Sequence, residues 1–233
     1  MIQPATETFL QPAEAFCAAT RLSYLQIGAG DRAIVLVHGF GGSKEIWWST
    51  LLALAPLGRV FAPDLPGHGG SPLHGDWRMP RIAARIADFC AVRGLPAIAL
   101  VGHSMGGRAA VYAAGHESVR AVVGLAPWLE RDDPVDTVAG REVLVAHGVH
   151  DRVTSPKASL SWVRRAGGAA ASVSFVSVQG DGHAMLRRAP VWHALATRYV
   201  LAMLCDVPPP AAHRSAGTHV IAKVLAGNGS LVV

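Results

Sequence analysis

The sequence predicts an α/β fold in which a mostly parallel β-sheet is covered by helices on both faces. Short runs rich in Val, Ile, Leu and Ala alternate along the chain with longer stretches whose apolar residues recur every three or four positions. Strands that are apolar throughout and alternate with helices are typical of parallel sheets. Hydrophobic residues make up 51% of the 233 positions and charged residues 16%, a composition that forms one well-buried core.

Seven segments are predicted as strands because each is a short run of β-branched and other apolar residues. They are Leu22–Ile27, 33–37, 59–62, 97–101, 121–125, 142–146 and Ser172–Val178. The first two are separated by the residues Gly-Ala-Gly-Asp at 28–31, a composition typical of a tight turn. We therefore expect these two strands to pair antiparallel as a hairpin.

Five segments are predicted as helices: 46–55, Met79–Val92, 105–114, Pro156–Ala166 and 191–204. In the second of these, Ile82, Ile86 and Phe89 recur at helical spacing and give one apolar face. Pro156 suits the first turn of its helix, and Gly94 suits a position just beyond a helix end. Because these helices separate successive strands, the strands can run parallel.

The composition changes near residue 206, after the last predicted helix. Three consecutive prolines at 208–210 end that helix, and the following residues are rich in Ala, Gly and Ser. We therefore predict one domain over residues 1–205 and a C-terminal tail over 206–233, to which the sequence assigns no role. Residues 218–225 could form an edge strand within that tail.

Charge and cysteine usage exclude several function classes. The net charge is +5, but the basic residues are scattered and form no stripe with aromatic residues, so we expect no nucleic-acid partner. Cys17, Cys90 and Cys205 are widely spaced and form no metal-binding motif, so we expect no metal and no cofactor. No apolar run approaches the roughly 20 residues that span a bilayer, and the start lacks a secretory signal pattern. We expect a cytoplasmic protein, and the sequence predicts no particular oligomeric state.

The segment Gly102-His103-Ser104-Met105-Gly106 is the first sign of chemistry. It follows a predicted buried strand and precedes a predicted helix, which is the context of a strand–turn–helix nucleophile elbow. A serine on such a tight turn needs small neighbours two residues before and two residues after, and both positions are glycine. We therefore take Ser104 as the candidate nucleophile.

A serine hydroxyl needs a base, and the base needs an orienting acid. Asp151 follows the strand 142–146, and carboxyl ends of strands are where functional groups gather in open α/β sheets. His183 follows the next strand in a glycine-containing loop, so we take it as the base and Asp151 as the acid. The rival acids lie in a polar loop that favours solvation. Of the other histidines, His150 adjoins Asp151 and has no span to reach the serine, and the rest suit packing or surface positions. The rival acids are Glu130, Asp132, Asp133 and Asp136, and the other histidines are His116, His147, His150 and His193.

The oxyanion hole needs two backbone N–H donors beside the nucleophile. One donor is the residue after the serine, Met105, at the start of a helix. The second is expected from the glycine-rich loop His38-Gly39-Phe40-Gly41-Gly42, and we assign it to the Phe40 N–H. His38 is expected to be a structural hydrogen-bonding residue of this loop.

Five motifs, in this order, resemble the α/β-hydrolase family over roughly residues 20–204. They are HGFGG at 38–42, PDLPGHGGS at 63–71, GHSMGG at 102–107, GVHD at 148–151 and GDGH at 180–183. The resemblance implies an eight-stranded, mostly parallel sheet and two-step acyl transfer to water. It also implies that residues 64–71 form a structural loop near the mouth of the site, and that His68 has no triad role.

One feature departs from many members of that family, which carry a helical cap between the strands that here end at Leu125 and begin at Glu142. Only about 15 residues connect these strands, too few for a helical cap. The sequence therefore resembles the compact, lidless members, such as small esterases, cutinase-like and dienelactone-hydrolase-like enzymes. Trp128, at the start of this connection, is a candidate for lining an open substrate pocket, with core packing as an equal alternative.

Taken with the resemblance, these residues predict a serine hydrolase of carboxylic esters that acts on a small-molecule ester or thioester. A thioesterase or another acyl transferase with the same triad is the alternative among enzymes. A non-catalytic ligand receptor of the same fold is the alternative outside enzymes, although such proteins usually lose a triad residue.

Overall fold

The structure, a computed structural model, describes residues 11–185, 187, 189–205 and 229–232. A nine-stranded sheet forms its centre, with the strand order β1-β2-β4-β3-β5-β6-β7-β8-β9. β1 pairs antiparallel with β2, β2 pairs antiparallel with β4, and all other neighbours are parallel. The strands are β1 (Ala13–Cys17), β2 (Leu22–Ile27), β3 (Arg32–Val37), β4 (Arg59–Pro63), β5 (Ala97–His103), β6 (Val119–Leu125), β7 (Glu142–Gly148), β8 (Ser172–Val178) and β9 (Gly229–Val232).

Five α-helices cover the two faces of this sheet: α1 (Trp48–Leu54), α2 (Met79–Val92), α3 (Met105–Ala113), α4 (Pro156–Ala166) and α5 (Ala189–Cys205). Side chains of α2, α3 and α4 pack in one core cluster, and side chains of α1 and α5 pack in another. Successive side chains of β5 pack in one cluster and then the other, because the side chains of a strand point alternately to the two faces of the sheet. Leu100 faces the first cluster and Val101 the second. The predicted α/β architecture with helices on both faces is confirmed.

The predicted hairpin between the first two strands is wrong. β4 lies between β2 and β3, pairing antiparallel with β2 and parallel with β3. All residues of β3 after Arg32 are buried, so this strand needs a hydrogen-bonded neighbour on each side. Helix α1 returns the chain to place β4 beside β3, and β2 then pairs with the outer side of β4.

The two edges of the sheet also differ from the sequence prediction. β1 was not predicted, because most of its residues are exposed and the run is weakly apolar. Among the described residues, β1 and β9 together bring the seven predicted strands to nine, whereas the resemblance implied eight. At the other edge, β9 pairs with β8, whereas the strand predicted at 218–225 lies outside the described residues. The boundary predicted after residue 205 stays a prediction, and residues 229–232 of the tail belong to the sheet.

The connection between β6 and β7 is short and held by a buried carboxylate. Residues 126–141 contain a single turn of 3-10 helix and no helical cap. Asp133 is 1% exposed and accepts hydrogen bonds from Arg108 of α3 and from the Tyr112 hydroxyl, each at 2.7 Å. This connection is fastened to α3 and contains no helix that could cover the carboxyl edge of the sheet.

Two cysteines in the described part of the chain are buried free thiols. Cys17 and Cys90 form no disulfide, and burial raises the pKa of Cys90 to about 12. The Cys90 thiol is therefore protonated and unreactive at neutral pH. Within the described ranges, no helix has the length and apolar character needed to cross a bilayer.

Candidate active site

Ser104 lies on the sharp turn between β5 and α3. Its backbone angles, φ 53° and ψ −119°, belong to a region that residues other than glycine rarely adopt. Its N–H donates to the Leu125 carbonyl at 3.1 Å, and its carbonyl accepts from the N–H groups of Trp128 and Arg108 at 3.0 and 3.2 Å. These bonds fix the strained turn and hold the serine at the carboxyl edge of the sheet.

The glycines around Ser104 are required by close backbone contact. A Cβ at Gly102 would overlap the backbone of Gly106, and a Cβ at Gly106 would overlap the carbonyl oxygens of Val37 and His38. The prediction that both positions must lack a side chain is confirmed. Helix α3 can therefore begin directly behind the serine and close to the end of β3.

The three candidate triad residues come together at this edge, each from a different loop. His183 Nε2 lies 3.0 Å from Ser104 Oγ, and His183 Nδ1 lies 2.8 Å from Asp151 Oδ2. The Ser104 residue is 8% exposed, the His183 side chain 18%, and the Asp151 side chain is buried. A continuous chain of hydrogen bonds thus runs from the serine hydroxyl to a buried carboxylate.

The Asp151 carboxylate is held in one orientation by several donors. Oδ1 accepts from the backbone N–H groups of Val153 and Thr154 at 2.8 and 2.9 Å, and Oδ2 accepts from His183. Burial opposes ionisation, but the Thr154 N–H and the His183 ring outweigh it, so the pKa of Asp151 lies below its usual value. Asp151 is therefore ionised at neutral pH.

The rival acids do not meet His183. Asp133 is the carboxylate that fastens the β6–β7 connection, and Glu130 pairs with Arg108 at 2.8 Å. Among the described residues, Asp151 is the acid in hydrogen-bond contact with the candidate base. Of the other histidines, His116 Nδ1 accepts from the Ser118 N–H at 3.3 Å, away from the sheet edge.

Sequence reasoning missed the role of His147, which it assigned to packing or to the surface. His147 is fully buried at the end of β7, and its Nε2 lies 3.0 Å from Asp151 Oδ2. Two imidazoles therefore contact the same carboxylate oxygen, His183 from one side and His147 from the other. The spacing of four residues between His147 and Asp151 was the only sequence signal available.

Two further side chains brace the loop that carries His183, and the sequence did not single them out. Asp181 accepts from the Gly182 N–H and from the indole N–H of Trp192 on α5, both at 2.8 Å. His103 Nε2 lies 3.0 Å from the His183 carbonyl oxygen, which suits donation by a ring N–H. Burial lowers the pKa of His103, so its ring is neutral at pH 7.

The loop after β3 lies against the nucleophile. A Cβ at Gly39 would stand 3.0 Å from Ser104 Cβ. The Gly39 carbonyl accepts from the Gly42 N–H at 3.1 Å and lies 2.7 Å from His38 Nδ1. In a trans peptide the N–H points opposite to the carbonyl, so the Phe40 N–H points away from these partners.

Two histidines hold this loop against the loop after β4. His38 Nε2 accepts from the Leu65 N–H at 2.9 Å, so its proton is on Nδ1 and is donated to the Gly39 carbonyl. Burial lowers the pKa of His38, which keeps it in this neutral form. His68 Nε2 accepts from the Gly41 N–H at 3.1 Å. The structural role expected of His38 is confirmed, and His68 adds a second bond to the same loop.

A cavity of about 520 Å³ opens beside the triad, on the face of the sheet covered by α1 and α5. Its walls come from the loop after β3, the residue before Ser104, the residues after His183, and the two helices. The lining is mostly apolar and includes Phe40, Trp47, Leu125, Met185, Trp192 and Ala196. Thr50 and His193 add a polar pair, with Thr50 Oγ1 3.4 Å from His193 Nδ1. The size suits a small organic ligand.

Trp128 does not line this cavity. Its backbone contacts Ser104, while its half-exposed ring lies 5.5 Å from the Arg108 guanidinium in a cation–π arrangement. Within the described residues, no group of three or more His, Cys, Asp or Glu side chains is arranged to bind a metal ion.

Comparison with known proteins identifies the same fold. The family model described as alpha/beta hydrolase fold matches residues 32–141. An 88-residue stretch, 37% of this chain, is 40% identical to the dihydrolipoyllysine-residue acetyltransferase component of the acetoin cleaving system of Cupriavidus necator, of which it covers 24%. A 95-residue stretch, 41% of the chain, is 36% identical to the pimeloyl-[acyl-carrier protein] methyl ester esterase of Serratia marcescens, of which it covers 35%. The chain thus spans well under two thirds of these relatives.

Solved structures extend the similarity to most of the chain. A thermophilic esterase from Thermogutta terrifontis superimposes with a TM-score of 0.64, covering 83% of this chain and 99% of the esterase. The two sequences are 20% identical, so the likeness concerns the fold.

Proposed function

This chain is an α/β-hydrolase by fold, and on that premise we propose that it is a serine hydrolase that cleaves carboxylic esters. The observation that carries the proposal is the hydrogen-bond chain from Ser104 Oγ through His183 to the ionised Asp151, at 3.0 and 2.8 Å. A serine in a strained turn, a histidine base and a buried carboxylate are the parts that nucleophilic acyl transfer requires.

In the proposed reaction, Ser104 Oγ attacks the ester carbonyl carbon while its proton passes to His183 Nε2. Asp151 Oδ2 accepts from His183 Nδ1 throughout, which stabilises the imidazolium that forms. His183 then returns the proton to the leaving alkoxide, and an acyl group remains on Ser104. A water molecule, deprotonated by His183, attacks the acyl carbon. The bond from that carbon to Ser104 Oγ breaks, His183 returns the proton to Ser104 Oγ, and the acid is released.

Negative charge on the carbonyl oxygen would be stabilised by two backbone N–H groups. Met105 begins α3, so its N–H has no acceptor within the helix. The Phe40 N–H points away from Gly42 and His38, which bond to the Gly39 carbonyl. It belongs to the loop that contacts Ser104. We propose these two donors as the oxyanion hole, worth about 3–4 kcal/mol each in the transition state.

We propose the apolar cavity as the site for the acyl group, because Phe40, His103 and Ala184 join its wall to the triad. A second candidate function is acyl transfer to an acceptor other than water. The 40% identical stretch shared with an acetyltransferase component favours it, and the same triad would carry it out. In the part of the chain that the structure describes, no helical cap lies over the sheet edge, which would admit either water or a larger acceptor.

Replacing the nucleophile tests the proposed function. Ser104→Ala should lower the hydrolysis of p-nitrophenyl butyrate by about 10³-fold or more, because only the oxyanion hole and substrate binding remain. Initial rates of wild-type and variant protein, at equal folded concentration, measure the loss. A variant that keeps most of the activity would exclude Ser104 as nucleophile.

Replacing each of two buried aspartates by asparagine tests which of them acts as the acid of the proposed triad. Asp151→Asn should reduce kcat by about 10³–10⁴-fold, since an amide no longer holds His183 in the required tautomer. Asp133→Asn is the matched control, because Asp133 is equally buried but bonds to Arg108 and Tyr112. It should lower the melting temperature and leave kcat nearly unchanged. A greater loss of kcat for the Asp133 variant would refute our choice of acid.

Narrowing the cavity should change the preference for acyl length. Ala196 of α5 lines the cavity, and Ala196→Leu should reduce kcat/KM for p-nitrophenyl octanoate at least about tenfold relative to the acetate. Ala84→Leu on the exposed face of α2 introduces the same side chain away from the cavity and should change neither value. Equal losses for both esters, or none for either, would place the acyl group elsewhere.

A further inference from the structure

A second histidine lies buried behind the proposed triad. His147 and Asp151 are both at the end of β7, and His147 Nε2 approaches Asp151 Oδ2 at 3.0 Å. The other ring nitrogen, Nδ1, lies 3.2 Å from Ser159 Oγ of α4. Both His147 and Ser159 are fully buried, so neither ring nitrogen has access to bulk water.

The contacts determine where the His147 proton sits. Burial lowers the pKa of His147 to about 4, so the ring is neutral at pH 7 and carries one proton. If that proton were on Nδ1, the lone pair of Nε2 would face the ionised Asp151 oxygen at 3.0 Å, which is repulsive. The proton is therefore on Nε2 and is donated to Asp151. Nδ1 is then an acceptor, and the single proton of the Ser159 hydroxyl lies between Nδ1 at 3.2 Å and the Pro127 carbonyl oxygen at 3.3 Å.

We propose that His147 is a positioning residue that sets the base strength of His183 through their shared carboxylate oxygen. A hydrogen bond from His147 draws charge from Oδ2 and fixes the rotation of the carboxylate. Without it, Oδ2 is more negative and the His183 imidazolium is better stabilised, so His183 is a stronger base. This inference rests on the proposed function, because it concerns the same triad.

Among the described residues, few other titratable groups face this cluster. His147 lies in β7 and Asp151 just after it, and His183 comes from the loop after β8. His103 from the end of β5 stacks at 4.8 Å from the His183 ring and contacts the His183 carbonyl. From α4 and the loop before it come the hydroxyls of Ser159 and Thr154, and Asp181 is hydrogen-bonded to Trp192.

The test follows the rate at which an alkyl fluorophosphonate labels the protein, as a function of pH. Labelling needs a base that is free to accept the Ser104 proton, so the rate rises with pH and its midpoint reports the base strength of His183. His147→Leu, which removes the donor and keeps the site dry, should raise the midpoint by roughly 0.5–1 pH unit. His147→Gln, which keeps an N–H near the position of Nε2, should restore the wild-type midpoint within about 0.2 unit.

The outcomes separate the two proposals. Wild-type protein that does not react at any pH would overturn the proposed function itself. Normal labelling with the same midpoint in wild type and His147→Leu would leave the proposed function standing and overturn the role of His147. A purely structural role would lower the folded fraction or the maximal rate without moving the midpoint.

A measurement on the wild-type protein keeps the inference testable if His147→Leu fails to fold. Histidine ¹⁵N chemical shifts, assigned with the His147→Gln spectrum, distinguish the two neutral tautomers and the cation. We expect His147 to carry its proton on Nε2 and to stay neutral from pH 8 to about 5, because its pKa is lowered to about 4. A proton on Nδ1, or a cation at pH 7, would contradict the inference.

Discussion

The strained backbone of Ser104 is the constraint on which the rest of the site depends. A positive φ at a residue other than glycine costs on the order of 1–3 kcal/mol and persists only where the surroundings enforce it. Here β6 and the residues that follow it enforce this backbone conformation. The Ser104 N–H donates to the Leu125 carbonyl, and the Ser104 carbonyl accepts from the Trp128 N–H. The close approach of Gly106 to the end of β3 brings the loop with Phe40 against the serine. The nucleophile and both proposed oxyanion donors are thus positioned by one turn.

Neutral histidines organise the polar groups around this turn. His38 connects the Gly39 carbonyl to the Leu65 N–H, and His68 bonds to the Gly41 N–H of the same loop. His147 joins Asp151 to Ser159 of α4. A neutral imidazole offers one donor and one acceptor, so it can bridge two buried groups without bringing in a charge. Burial lowers the pKa of both His38 and His147 and keeps them in that form at neutral pH.

Local patterns in the sequence were sufficient to predict the helices and most strands and to select the candidate triad residues, because each is encoded in a short stretch. Met79–Val92 and Pro156–Ala166 match their predicted bounds, since an apolar face or an N-terminal proline marks them. The strand ends that carry Ser104, Asp151 and His183 meet because parallel strands share a carboxyl edge. The neighbours of β2 were not predictable in this way, because a glycine turn suits both a hairpin and a crossover. The contact of His147 with the Asp151 carboxylate was also not predicted. It depends on how residues 147–159 fold back on one another, which no short pattern shows.

The most direct test of this account is a crystal structure of the protein after reaction with an alkyl fluorophosphonate. The phosphorus is expected on Ser104 Oγ, with the phosphoryl oxygen about 2.7–3.1 Å from the backbone nitrogens of both Phe40 and Met105. The alkyl group should enter the cavity between α1 and α5. Phosphorus on another residue, or a phosphoryl oxygen directed away from those two nitrogens, would contradict the central claim that this turn and this loop together form the catalytic site.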